Sequence, residues 1–138
     1  LFSIKNLGGV KMSTLKVNAM EPRTSGATIA VSATSGNITT LTSAASITIN
    51  LSNSNNFKVT LAHNATFQNP TSITAGQTGS IFITQDGTGS RTGSWGSYWD
   101  FIGGTAPTLT TTAAGVDRID YVVLDSTNIQ AVATLAYS

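Results

Sequence analysis

His63 is the single histidine of this chain, so a Ser-His-Asp relay would have to use it as the base. Flanked by Ala62 and Asn64 at the end of an alternating stretch, it is expected to be a surface or turn residue rather than a general base. The densest group of acids is Asp117, Asp120 and Asp125, and with Asp86 and Asp100 these are the hard-metal ligands the chain could offer. On a strand, Asp117 and Asp120 point to opposite faces because their spacing is odd. No stretch carries acids at every second position ahead of a glycine, as a calcium loop does. The acids are therefore expected to cap turns. No metal, cofactor or catalytic residue is expected, since a polysaccharide hydrolase would need an acid pair in one cleft.

Gly87, Gly89, Gly93 and Gly96 resemble a phosphate-cradling loop only in composition, because no GK[ST] ending, no G-x-G-x-x-G spacing and no helix follows. They are read as turns. Trp95, Tyr98 and Trp99 could stack on a sugar ring or fill a core, since flat aromatic faces suit both. Core packing is the stronger expectation, and a surface platform the alternative. The sequons at Asn37, Asn50 and Asn64 are what a Thr-rich chain produces by chance. With no cysteine, disulfides, thiolate metal sites and cysteine nucleophiles are all excluded.

The side chains around these candidates are unusually uncharged. Charged residues make up 9% of the 138 residues, against about 25% in an ordinary soluble domain. Ser, Thr, Asn and Gly take their place. A lone globule keeps a mixed charged surface to avoid self-association, so this composition points to a subunit whose outer faces meet neighbours. The net charge of +1 is too small to attract nucleic acid or a membrane surface. No apolar run approaches the roughly 20 residues of a spanning helix, and the apolar part of LFSIKNLGG is too short for a signal peptide.

The elements that must position these residues are strands. β-branched residues dominate, helical periodicity is nearly absent, and the recurrent signal has period two. In SITINL, Ile47, Ile49 and Leu51 share a face opposite Thr48 and Asn50. After the polar run Ser52 to Asn56, Phe57, Val59 and Leu61 repeat the pattern, so the two stretches are expected to form a hairpin. Ile81 and Ile83 in SIFITQ, with Phe82 behind them, mark a central strand. Ile119, Tyr121 and Val123, the turn Asp125 to Asn128, and then Ile129, Ala131, Ala133, Leu135 and Tyr137 form the clearest hairpin. A short strand is expected over Arg91 to Trp95, followed by an ordered loop. No repeat is evident, so neither a solenoid nor a coiled coil is expected.

These signs predict an all-β chain: an antiparallel β-sandwich or jelly-roll-like domain over residues 46–138, preceded by an extended N-terminal arm over residues 1–45. The arm has two thin β-like stretches, Leu15 to Val17 and Ala27 to Ala33, broken by Pro22, Gly26 and Gly36. Such a segment can hardly form a core unaided, so it is expected to pair with the main domain or to cross to a neighbour. Its apolar residues Leu1, Phe2, Ile4, Leu7, Leu15 and Val17 are the candidate interface residues of the arm.

The stretch from Gly79 to Ala131 carries, in order, QDGTGSRT, then W-G-S with an aromatic pair, then GGTAPTLTTTA, then a V-D-x-x-x-Y/F-x-x-x-D-x-T strand pair. It resembles a module of tail-fibre, head-fibre and decoration proteins of tailed phages, especially marine ones. MSTLKVNAMEP, from Met12, is similar to the opening of many such proteins. The usual glycine of the last turn is replaced by Ser126, and Leu1 to Lys11 lies outside the pattern. The resemblance implies a virion protein, usually a homotrimer, without an identified catalytic residue. A compact chain built mostly of this module fits a capsid decoration (cement) protein or short head fibre on the capsid surface, with other copies and the major capsid protein as partners. A tail fibre recognising a host-surface glycan through the loop Asp86 to Gly104 is the alternative.

Overall fold

The computed structural model describes residues 36–137, and the arm residues Leu1, Phe2, Ile4, Leu7, Leu15 and Val17 lie outside that range. The described chain is all-β. Nine strands form two sheets, with one short 3-10 turn at Ile102–Gly104 and no α-helix among the described residues. No described helix is long and apolar enough to cross a membrane.

The strands alternate between the sheets as the chain advances. Strands β1 (Ile38–Thr40), β3 (Asn56–Leu61) and β5 (Thr78–Gln85) enter the larger sheet. Between them β2 (Ser46–Ile47), β4 (Ala65–Phe67) and β6 (Gly93–Trp95) form the smaller one. Each of the strands β1 to β4 therefore runs parallel to the strand two places later: Phe57 pairs with Ile81, and Phe67 with Trp95. Backbone bonds extend the second ladder beyond its regular strands, from Gln68 N to Ile47 O (2.8 Å) and from Thr71 N to Ile49 O (2.9 Å). Residues 36–95 thus wind as coils around one core.

This winding corrects two expectations. Ser46–Leu51 and Phe57–Leu61 do not pair as a hairpin; they lie in different sheets, and both ladders in that region are parallel. Nor are the sheets antiparallel throughout, as the expected sandwich would have them: successive coils of unequal length, 18 residues from Ile38 to Asn56 and 24 from Asn56 to Ser80, lay their strands parallel. Alternation reports which side of a strand is buried, and on that point it is correct, since Ile47, Ile49, Leu51, Phe57, Val59 and Leu61 are all buried. It does not report which strand lies alongside. The polar run after Leu51 does turn the chain, with Asn50 Oδ1 accepting from Ser52 N (3.0 Å), but it carries the chain from one sheet to the other.

The C-terminal part changes to antiparallel pairing. β8 (Val116–Asp125) pairs antiparallel with both β5 and β9 (Asn128–Tyr137), and the predicted hairpin turns at Ser126 and Thr127, where Asp125 Oδ1 accepts from Thr127 N (2.8 Å). β5 is central, between β3 and β8. A further strand, β7 (Trp99–Phe101), arises within the segment expected to be an ordered loop and lies parallel to β9 at the sheet edge. The larger sheet is consequently mixed, in the order β1-β3-β5-β8-β9-β7.

One apolar cluster joins the sheets, with Phe57, Phe67, Ile81, Ile119 and Ile129 fully enclosed. Each such side chain contributes roughly 1.5–3 kcal/mol on burial. Tyr121 belongs to this cluster and donates its hydroxyl to Asn55 O (2.9 Å), which ties β8 to the turn before β3. Asn55 O also comes so close to Gly79 that a Cβ there would stand 1.7 Å from it, so only glycine fits. Burial raises the Tyr121 phenol from 10.0 to about 12. In the unfolded chain the phenol ionises near 10, so stability is retained below that pH and falls as pH rises from 10 toward 12. Alkaline unfolding series are expected to show this loss in the wild type and a smaller one in Tyr121→Phe.

Candidate functional site

The module between Gly79 and Ala131 is where chemistry-bearing side chains concentrate. Gln85, at the end of β5, is buried, and its amide closes on the backbone of Arg91 from both sides: Oε1 accepts from Arg91 N (2.8 Å) and Nε2 donates to Arg91 O (2.9 Å). Asp86 Oδ1 accepts from Thr88 N (3.0 Å) and Gly89 N (2.9 Å). Its other oxygen takes both Nη2 (2.7 Å) and Nε (3.2 Å) of Arg91. The Arg91 hydrogen bond, helped by the Gly89 and Thr88 amides, holds the Asp86 carboxyl below its ordinary value of 3.8.

This loop is fastened to the one that leads into β8. Ser90 N donates to Thr111 O (2.8 Å) and Ala114 N to Asp86 O (3.2 Å). Gly89 has φ +71° and a Cβ there would lie 2.5 Å from Thr111 O, so both conformation and contact demand glycine. Asp117, buried in β8, holds two further backbone donors: Thr110 N on Oδ2 (2.7 Å) and Ala136 N on Oδ1 (3.0 Å). QDGTGSRT and the V-D pair are thus the two halves of one clamp made of side chain to backbone bonds.

The aromatics complete it from the apolar side. Trp95 stacks on Phe67 with centroids 4.6 Å apart, and meets the edges of Trp99 (5.2 Å) and Phe101 (5.1 Å). Trp99 in turn crosses Tyr121 at 6.1 Å and is 6% exposed. Trp95, Tyr98 and Phe101 are partly buried against the core cluster. The core role expected for Trp99 is therefore observed. Of the three platform candidates, Trp95 still borders a groove of about 490 Å³, together with Thr92, Ser94, Pro107, Thr108 and Thr111.

The remaining candidates separate. His63 is exposed in the turn after β3. Asp117 points inward while Asp120 faces out, where it accepts from Arg118 Nε (2.9 Å) and Ser80 Oγ (2.6 Å). Among the described residues, no three His, Asp or Glu side chains gather to hold a metal. The glycine-rich loop runs into β6 and not into a helix.

What the sequence did not signal is that Asp100 joins Asp120. Both border a depression of about 500 Å³ on the outer face of β7, β8 and β9, with Ile102, Val122, Gln130 and Val132. Pairing of Val122 with Gln130 and of Gln130 with Asp100 makes that row, and only the parallel docking of β7 creates it. The surrounding outer surface is apolar: Ile102 is 80% exposed, and Val122, Leu124, Val132, Leu135 and Tyr137 are also exposed.

No family model matches this chain, and neither the curated proteins nor the solved structures contain a match to it. Asp117→Ala would take the acceptor from two part-buried amide donors, those of Thr110 and Ala136, and is expected to lower the unfolding free energy by about 1–3 kcal/mol. Denaturant unfolding of the variant measures this.

Proposed function

We propose that this chain is a non-enzymatic structural protein of a tailed-phage virion, a capsid decoration or cement protein or the head-anchored part of a short head fibre. The observation that carries this reading is the use to which the module's polar residues are put. Gln85, Asp86 and Asp117 hold backbone and Arg91 holds Asp86, while large apolar side chains stand outside on β8, β9 and the 3-10 turn. A rigid body with an apolar, charge-poor outer face suits permanent contact with other proteins. The order of motifs from Gly79 to Ala131, similar to that of phage fibre and decoration proteins, supports the particle as the place of contact.

In this reading the two sheets around their shared core act as a sandwich-like block, the protein assembles as a homotrimer, and the part of the arm that precedes β1 reaches other copies or the major capsid protein. Many copies bridge neighbouring capsid subunits. Each buried contact adds to the resistance of the shell against the pressure of packed DNA.

A receptor-binding tail fibre is the second reading, favoured by the groove beside Trp95 with its threonine and serine hydroxyls. Hydroxyls and an aromatic edge suit a host-surface glycan.

Particles lacking the protein are expected to break at lower temperature than complete ones, and quantitative mass spectrometry of complete particles to count many copies. A handful of copies at the tail, with shell stability unchanged, would rule out the decoration role. The tail-fibre reading instead expects glycan-array binding that is lost in Thr92→Val/Thr108→Val while the fold, followed by circular dichroism, is kept.

A further inference from the structure

The charge of this chain is divided along its length. Lys5, Lys11, Lys16 and Arg23 fall within residues 1–35, where Glu21 is the one acid. Residues 36–138 hold Lys58, Arg91 and Arg118 against Asp86, Asp100, Asp117, Asp120 and Asp125. The side-chain charge is therefore +3 on the first part and −2 on the second, which together make the +1 of the whole.

The negative charge of the second part is also localised. Asp86 is answered by Arg91 at 2.7 Å, and Asp117 is enclosed under two amide donors. Arg118 meets one oxygen of Asp120, whose other oxygen accepts from Ser80. Asp100 is exposed and has no ion pair among the described residues. Asp100 and Asp120 border the same depression, and its apolar lining is Ile102, Val122 and Val132. The site is thus an apolar trough with acidic margins, on a sheet whose edge strand β7 is three residues long.

We propose that this trough receives the segment Leu1–Val17 of a neighbouring copy. The inference rests on the reading of the chain as an assembling subunit and names the surface through which copies join. The segment is complementary in both respects that the trough presents. Phe2 with Ile4, and again Leu15 with Val17, supply apolar pairs at alternate positions, which put both members of a pair on one face of an extended segment, and Lys5, Lys11 and Lys16 give the segment the positive charge that the carboxylates at the trough's margins attract. Each copy is then donor to one neighbour and acceptor from another, a head-to-tail contact that closes into a ring when the rotation between copies allows it.

The absence of cysteine makes a direct test clean. Full-length chains carrying Ile4→Cys or Val17→Cys are mixed with full-length Val132→Cys, oxidised mildly, and analysed by mass spectrometry alongside sedimentation of the unoxidised proteins. A disulfide between chains, from Cys at 132 to at least one of the arm positions, is the expected result. Asp100→Lys is expected to weaken self-association about two- to fivefold, the range of exposed ion pairs, and Lys5→Glu/Lys16→Glu in the same chain to restore it. An oligomer that forms neither disulfide and ignores Asp100→Lys overturns this docking while leaving the assembly reading intact. A chain that sediments as a monomer overturns both, and a chain carrying both cysteines that closes the disulfide within itself overturns the exchange between copies.

Discussion

The interaction on which the rest of this structure depends is the aromatic seam between the two sheets. Phe67 and Trp95 come from the smaller sheet, Trp99 and Tyr121 from the larger, and their rings meet in sequence from one sheet to the other. In a coiled arrangement no two consecutive strands are hydrogen-bonded neighbours, so the sheets must be held together by side chains alone across the core. Large rings do this with few rotatable bonds. They also bring β7 against β9, and that docking builds the outer row in which Asp100 and Asp120 share a depression.

Around the seam, polar side chains do the work that hairpin turns do in simpler β proteins. Connections between sheets are irregular, and irregular backbone has amide groups without ladder partners. Gln85, Asp86 and Asp117 satisfy five backbone amides at 2.7–3.0 Å, those of Arg91, Thr88, Gly89, Thr110 and Ala136. A chain with 9% charged residues thus places several of its charges in the architecture. Its outer faces carry hydroxyls, amides and exposed aliphatic groups, with Asp100, Asp120 and Arg118 standing among them on β7 and β8.

The apparent acid cluster illustrates how strand geometry sorts residues that look alike in sequence. Asp117 and Asp120 are close in the chain and separated by the sheet; Asp100 and Asp120 are distant in the chain and meet on one face. The first relation follows from the odd spacing. The second depends on β7 choosing β9 as its neighbour, which the local pattern around Trp99 does not express because that stretch is glycine-flanked and three residues long.

By itself the sequence determined the all-β class, the inward faces of the strands from Ile47 to Ile129, the central place of β5, the C-terminal hairpin, the turn-capping role of Asp125 and the opposite faces of Asp117 and Asp120. These are local consequences of side-chain alternation and of turn chemistry, readable within a few residues. Only the tertiary structure decided that the first strands pair in parallel two places apart, that the presumed hairpin from Ser46 to Leu61 spans two sheets, that Gln85 and Asp117 are clamps, and that the aromatic loop contains an edge strand. Each of these is a choice among partners far apart in the chain. Period-two burial is the same whether a strand's neighbour is the next strand or the one after it, so the choice rests on how the large side chains fill one shared core.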